Sequence, residues 1–491
     1  MKSLSYARKL QSIAGAAAIC AIGLATPVAQ AQNFETFYGE RSTNDIGQDV
    51  KAVRFCDNGN GSILVGTRRN GNFTEALVTR VDNNGVPLWQ NAYRVANNNS
   101  TIANAVVEVA NGAGFAVTGA VAVNGTSIYV LRLRCDGSPL WATLLANQAT
   151  TNRAVGYDII EAQVAATAPA ELVVVGEELF ANAQQTTHGR IARLNAAGVV
   201  LWNRAYIRAG QLPGLRFRAA TMAVPVGSPL LTDIVVAGSA AAGATWANDR
   251  RGLIYRVNGA GNPVCNNTVG RVDPVNEDFF GITTLRQPQF TGNNVLVGST
   301  SGGTAAIVEQ VFLTRYATGN CQLVVQSVWK DPQDSSVALD VVESLVQATG
   351  ALTTIRATGS IRGNITAGDG FLLTANPANL GPALAQFRYS TQSPRHENLQ
   401  AIDNKKDRFV MLGSTQTDWD GVGDPQDFYM VQTDPNGKTQ CARDWVFDWG
   451  PTQQPEERFE QTLKEMQPNP QVDVVSIPAF DFGYCCALNP N

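Results

Sequence analysis

Arg80-Val81-Asp82-Asn83-Asn84-Gly85-Val86-Pro87-Leu88-Trp89 reads as the end of one strand, an Asx-Gly turn, and a second strand that opens on a bulky ring. The phrase returns at Arg132-Leu133-Arg134-Cys135-Asp136-Gly137-Ser138-Pro139-Leu140-Trp141 and at Arg193-Leu194-Asn195-Ala196-Ala197-Gly198-Val199-Val200-Leu201-Trp202. Looser copies bring the turns to eight, and in five copies a Trp or Cys follows the turn glycine by four positions. A unit this small cannot bury its own surface, so the repetition implies stacked repeats that share a core.

Upstream of each turn lies an apolar strand that ends in glycine. The copies are Ile63-Leu64-Val65-Gly66, Ala116-Val117-Thr118-Gly119, Val173-Val174-Val175-Gly176, Val235-Val236-Ala237-Gly238, Val295-Leu296-Val297-Gly298, Arg356-Ala357-Thr358-Gly359 and Val410-Met411-Leu412-Gly413, spaced by 53, 57, 62, 60, 61 and 54 residues. A period of this length with three or four short strands per unit is a propeller blade, so the expected fold is an all-β propeller. With strands lettered A to D from the axis outwards, the glycine-ended strand is B and the strand before the turn is C. Continuous apolar residues in B fit a sheet covered on both faces by neighbouring blades. The Trp opens strand D, where its ring docks between blades.

The blade count follows from closure. Tyr484 to Asn491 aligns without a gap on Tyr429 to Asn436, a strand C and its turn, so the chain stops where a strand D is due. Phe34-Glu35-Thr36-Phe37-Tyr38-Gly39 stands alone before the first strand A and supplies the missing outer strand. Roughly 460 residues divide into eight units of about 57, close to the observed spacing, whereas seven need nearly 66. The expectation is therefore one eight-bladed ring over residues 32–491, with Val472 to Ser476 as the eighth strand B; seven blades plus a tail is the alternative.

Lys2, Arg8 and Lys9, the apolar run from Ile13 to Val28 and Ala29-Gln30-Ala31 have the form of a signal peptide over residues 1–31. Its removal takes the net charge from −4 to about −7, which argues against nucleic acid or an anionic membrane as the main partner. No later stretch has the roughly 18 consecutive apolar residues of a membrane helix, and the expected location is secreted, at the cell surface or periplasmic. Seven cysteines follow the leader, an odd number that leaves at least one unpaired, and in an exported chain disulfides are expected.

The turn followed by Gly-x-x-x-Trp resembles the docking repeat of eight-bladed PQQ-type, quinoprotein-like propellers. The string from Gly413 through Asp418-Trp419-Asp420-Gly421 to Phe428-Tyr429-Met430-Val431 is similar to bacterial secreted propeller repeats of uncharacterised function. The first resemblance implies an oxidoreductase in which a vicinal disulfide faces PQQ beside Ca²⁺. Cys485-Cys486 is the one vicinal pair, but it falls inside a strand C, where neighbouring side chains point to opposite faces. PQQ is thereby disfavoured.

Other residues are weighed on their chemistry. Asp418, Asp420, Asp424 and Asp427, spaced by glycines, form a candidate Ca²⁺ loop that lacks the full EF-hand pattern. Cys265 and Cys441 stand where other blades carry Trp, and disulfides to adjacent blades would compensate; Cys135 and Cys321 fall in C–D turns and Cys56 at an A–B turn on the same side. His188 and His396, in different blades, are expected as surface loop residues. Arg80, Arg132, Arg193, Arg256 and Arg315 recur at the end of strand C, and their stems are expected to cover apolar surface while their heads reach solvent. Ligand-binding loops at one mouth of the channel would carry Phe180, Trp246 and Trp419. No residue stands out as catalytic. The leading reading is an exported, non-catalytic scaffold for a protein or glycan partner, with a quinoprotein-like periplasmic or secreted oxidoreductase as the alternative; carboxylates and cations converging from several blades at the channel would favour an enzyme.

Overall fold

The structure, a computed structural model, describes residues 33–484 apart from 40–42, 96–98, 111–113, 124, 146–151, 163–170, 181–185, 209–213, 224–232, 242–249, 271–275, 303–307, 332–333, 345–353, 363–367, 384–385, 390–395, 406–407, 417–425, 440–442, 446–447, 452–458, 464–471 and 477–480. The expected leader at 1–31 lies outside the described residues. From Asn33 onwards the chain is one compact unit, and among the described residues no helix is long and apolar enough to cross a membrane.

The first strand, β1 (Phe34–Gly39), does not pair with its successor in the chain. Blade I is β2 (Asn44–Ala52), β3 (Ser62–Asn70), β4 (Phe73–Val81) and β5 (Pro87–Val95). Blade II is β6 (Thr101–Val109), β7 (Gly114–Val121), β8 (Ser127–Leu133) and β9 (Pro139–Leu145); blade III is β10 (Arg153–Ala162), β11 (Glu171–Leu179), β12 (Thr187–Leu194) and β13 (Val200–Arg208). Blade IV is β14 (Leu215–Met222), β15 (Ile234–Ala241), β16 (Arg250–Val257) and β17 (Pro263–Val269); blade V is β18 (Glu277–Thr284), β19 (Asn293–Gly302), β20 (Val308–Ala317) and β21 (Gln322–Lys330). Blade VI is β22 (Ser335–Ser344), β23 (Thr354–Arg362), β24 (Asp369–Ala375) and β25 (Gln386–Tyr389). Blade VII takes β26 (Glu397–Lys405), β27 (Arg408–Thr415) and β28 (Asp427–Gln432) from the end of the ring and β1 from its beginning.

The ring therefore has seven blades, not eight. The N-terminal strand closes it as expected of an outer strand, but on the seventh blade, with Phe34 opposite Gln432 and Tyr38 opposite Phe428. The residues assigned to an eighth blade do something else. The strands β29 (Arg443–Trp445), β30 (Asp448–Pro451), β31 (Phe459–Leu463), β32 (Val472–Ser476) and β33 (Asp481–Tyr484) add a fifth, outermost strand to blades VI, V, III, I and VII in that order. The tail thus runs back around the circumference and covers sheet edges that would otherwise offer unpaired N–H and C=O groups.

The strand B glycine explains why Ser476 cannot found an eighth blade. In all seven blades strand A carries a one-residue bulge opposite this glycine, between Gly47 and Asp49 in blade I and between Ala338 and Asp340 in blade VI, for example. The bulge drives a strand A carbonyl onto the glycine. A Cβ there would lie 2.0 Å from the Ile46 oxygen at Gly66, 1.7 Å from the Asp278 oxygen at Gly298 and 1.7 Å from the Asn398 oxygen at Gly413. Any side chain is excluded, serine included.

Each of several seams between blades is stitched by the turn and its docking ring. Trp89, Trp141 and Trp202 each dock on the C–D turn of the next blade, their Nε1–H groups donating to the carbonyls of Cys135 (2.9 Å), Ala196 (3.2 Å) and Gly259 (3.0 Å). Tyr38, Tyr93 and Tyr206 donate their hydroxyls to the turn-glycine carbonyls of Gly85, Gly137 and Gly261. These glycines hold φ near +80°, the left-handed region that suits glycine. Where blade IV has Cys265 in place of Trp, a disulfide to Cys321 in the turn of blade V makes the stitch covalently, and Cys56–Cys135 joins blades I and II. Cys441, Cys485 and Cys486 lie outside the described residues.

The recurrent arginines correct the expectation of solvated heads. Each stands directly across from the docking position, Arg80 opposite Trp89 and Arg256 opposite Cys265, and Arg80, Arg132, Arg193 and Arg315 are buried. Their guanidinium groups have donor geometry matched to carbonyls on two sides: Arg132 donates to Phe115 and Leu133, and Arg256 to Thr318 and Gly319 of the next blade while pairing with Asp233 at 2.7 Å. Backbone acceptors at the turns hold the heads inside.

Removing the Cys265–Cys321 link is expected to weaken the seam between blades IV and V. A crosslink spanning 56 residues restricts the unfolded chain by about 4 kcal/mol in the loop-entropy account. The Cys265→Ser/Cys321→Ser variant should therefore unfold at a lower denaturant midpoint than the oxidised protein, and reducing agent, which opens Cys56–Cys135 as well, should lower the parent at least as far. An unchanged midpoint would mean that Arg256 and its neighbours hold the seam unaided.

Candidate functional site

The bulges that need the seven glycines also build the axial channel. Each places one extra residue toward the axis: Gln48, Asn104, Tyr157 and Arg218 from blades I to IV, then Phe280, Leu339 and Gln400 from blades V to VII, all lining a cavity of about 370 Å³. The scaffold around them repeats in every blade, whereas the seven side chains are of six kinds. Amides occupy the adjacent blades VII, I and II, while Phe280 and Leu339 form an apolar arc on V and VI.

The next residue along strand A is Asp in blades I, III and VI, and Ala or Gly in the others. Asp49, Asp158 and Asp340 each reach across a seam. Their Oδ2 atoms accept from the backbone N–H groups of Val106 (2.9 Å), Ala220 (2.8 Å) and Ile402 (2.9 Å), and their Oδ1 atoms from the residue that follows each. Asp403 accepts from the Ala52 N–H at 2.9 Å and so ties blade VII to blade I.

Lys51 stands among these carboxylates, its Nζ 2.8 Å from Asp49 Oδ1. Burial works against its charge, but Asp49, Asp340, Asp403 and Asp158 outweigh it and raise the ammonium above its ordinary value. Burial pushes the Asp340 carboxyl up to about 7, with Lys51 opposing and Asp49 adding to the rise, and carries Asp158 to about 6 on the same balance led by burial and Lys51. Arg54 pairs with Asp403 at 3.3 Å, and the Arg218 guanidinium lies 3.8 Å from the Tyr157 ring centroid. The Tyr157 hydroxyl donates to Glu177 at 2.7 Å, and burial takes the phenol up to about 12 against the pull of Arg218.

Carboxylates and cations from several blades thus do converge, the condition that would favour an enzyme. Their hydrogen bonds point to a different role. Asp49, Asp158 and Asp340 bind backbone N–H groups of the neighbouring blade, and Lys51 and Arg54 are held by Asp49 and Asp403, so the charged ring braces the channel.

Stability should reflect this ring with a definite sign. In the fold Asp158 and Asp340 bind protons more tightly than in the unfolded chain, where aspartate titrates near pH ~4. Their contribution is complete below that pH and is lost as pH rises through about 6 and 7. Asp340→Asn carries no charge to lose, so urea melts should show the variant gaining on the parent between pH 4 and pH 8. A difference that does not vary with pH would refute the assignment.

The sites read from sequence are scattered. Asp418, Asp420, Asp424, Trp246 and Trp419 lie outside the described residues. Asp427 opens β28 and adds its charge to the burial that lifts the Asp45 carboxyl to about 8. Among the described residues no group of three His, Cys, Asp or Glu is arranged to hold a metal. Phe180 is half-buried against His188, ring centroids 4.2 Å apart, and His188 lies in strand β12 instead of the surface loop expected for it, while His396 is exposed. The channel ring itself escaped sequence reading. Its only signal was indirect: the residue facing the strand B glycine across the ladder marks the bulge.

No family model and no curated relative matches the chain. Two crystal structures of Sqt1 from Chaetomium thermophilum align with it at TM-scores of 0.44 and 0.42, with 10% and 9% identity, each over 82% of this chain and 98% of the other. The seven-bladed assignment rests on the strand pairings themselves.

Proposed function

We propose that the chain is an exported, non-catalytic binding scaffold for a protein or glycan partner, and that the axial channel is where recognition occurs. The observation that carries this reading is the contrast between a repeating frame and a ring of seven bulge residues of six kinds, sorted into polar, aromatic and aliphatic sectors, lining the cavity. Residues that only pack would be free to repeat with the frame; polar, aromatic and aliphatic groups in distinct sectors are what selects a ligand. Export is supported by the leader pattern at 1–31 and by two disulfides between blades, since such bonds persist in oxidising compartments.

The reading is tested by thermal melts of the full mature chain against a panel of soluble peptides and oligosaccharides. A ligand at a large excess over its Kd should raise the parent melting temperature by about 2 °C or more. The same ligand should raise the melting temperature of the Phe280→Ala variant clearly less. Ligands that stabilise parent and variant equally would place binding elsewhere and overturn the channel assignment.

A further inference from the structure

The polarity of the channel ring narrows the class of ligand, a step that rests on the channel being the recognition site. Seven-fold geometry sets blade V across the axis from the seam between blades I and II. Phe280 therefore faces the sector of Gln48 and Asn104, with Leu339 beside it and Gln400 flanking the amides. The Gln48 and Gln400 carboxamides make no hydrogen bond to any described residue, while Asn104 is anchored by the Gly156 carbonyl at 2.7 Å. The cavity thus has an apolar wall on one side and unused planar donors and acceptors on the other.

The charged layer beside it adds acceptors. A carboxyl group has about four lone-pair sites when ionised, and keeps acceptor capacity beside one O–H donor when protonated; the hydrogen bonds of Asp340 fill two sites, from Val341 and Ile402. What remains can accept from a ligand hydroxyl, or donate to one when the carboxyl is protonated. Three of the four cations that line the cavity are engaged, Lys51 by Asp49, Arg54 by Asp403 and Arg218 by the Tyr157 ring, while the exposed Arg286 guanidinium makes no hydrogen bond or ion pair with a described residue. An anion would have Arg286 alone unless it broke the other three contacts. An organic ammonium would meet Lys51 already in place among the carboxylates, and no described trio of ligands suits a metal.

We propose that the channel binds a hexopyranose sugar, free or at the end of a glycan. A pyranose offers a C–H face for an aromatic ring and a rim of hydroxyls for amides and carboxylates, which is the division seen between Phe280 and the Gln48, Gln400 and Asp340 groups. A cavity of about 370 Å³ lies at the small end of the range for small-molecule sites and suits one or two sugar rings.

The test is isothermal titration of the full mature chain with glucose, galactose, mannose, N-acetylglucosamine and their β-1,4-linked disaccharides, together with a glycopeptide ending in each sugar. At least one should bind saturably with Kd between about 10 μM and 10 mM. Phe280→Ala should weaken that binding about tenfold, and Gln400→Ala by about fivefold, with both ligand-free melting temperatures close to the parent. A free sugar that binds while its glycopeptide does not identifies a soluble ligand, and the reverse identifies a displayed glycan; either supports the proposal. Absence of saturable heat from every sugar, or heat unchanged in both variants, overturns it. In that event a peptide that stabilises the parent but not Phe280→Ala would leave the scaffold reading standing, whereas no channel-dependent ligand of any kind would remove both.

Discussion

Deleting residues 32–40 is expected to abolish the cooperative fold. The strand lost, β1, is paired on both edges, with β28 on one side and β33 on the other, so its removal leaves two open edges in blade VII. Phe34, Phe37 and Tyr38 are buried at 6%, 4% and 0% exposure. Each such side chain contributes about 2–3 kcal/mol, so their sum alone rivals the 5–15 kcal/mol that typically separates folded from unfolded chains. The Tyr38 hydroxyl also loses the Gly85 carbonyl, which frees the seam between blades VII and I, and Glu35 no longer receives the Tyr429 and Thr439 hydroxyls. Circular dichroism with size-exclusion chromatography should find aggregate or a non-cooperative melt. A soluble truncated monomer with the parent transition would show that the ring does not depend on its first strand.

Gly298→Ala should be nearly as severe. The new Cβ would sit 1.7 Å from the Asp278 carbonyl oxygen and 2.8 Å from the Phe279 Cα, both backbone atoms that cannot swing aside. Relief requires the bulge in β18 to flatten, which would withdraw Phe280 from the channel. A loss of about 4 kcal/mol or more is expected from urea melts. Gly319→Ala is the matched control, because nothing lies within 4 Å of a Cβ there; it should stay within about 0.5 kcal/mol of the parent. Similar melts for the two variants would mean that strand A can move away from strand B.

The same glycine shows how far a sequence can be read. The seven copies at Gly66 through Gly413 marked seven blades, and the docking Trp and its turn marked the seams, because both features are local and recur. The eighth blade was inferred from length and from the likeness of Tyr484 to a strand C, but short edge strands carry the same residues as inner ones. What separates them is the bulge contact that excludes a side chain, and that contact joins residues about 20 positions apart on different strands. The arginines misled for a related reason: a guanidinium reads as a surface group until the carbonyls of a neighbouring turn are seen around it. The channel ring was illegible because it is defined by seven positions that share a place and not a single residue type.

The closure of blade VII also sets a timetable. At about 5–20 residues per second, roughly 20–80 seconds separate synthesis of the first strand from synthesis of Gln432, its partner. Throughout that interval Phe34, Phe37 and Tyr38 have nowhere native to go, and they invite wrong pairings with every outer edge made before the right one. The edge strands of the tail come later still, and β33 can dock only after β1 has found its place. The ring therefore cannot finish as it grows: its first strand waits for Gln432, and its outermost edges wait for the tail that ends its described course at Tyr484.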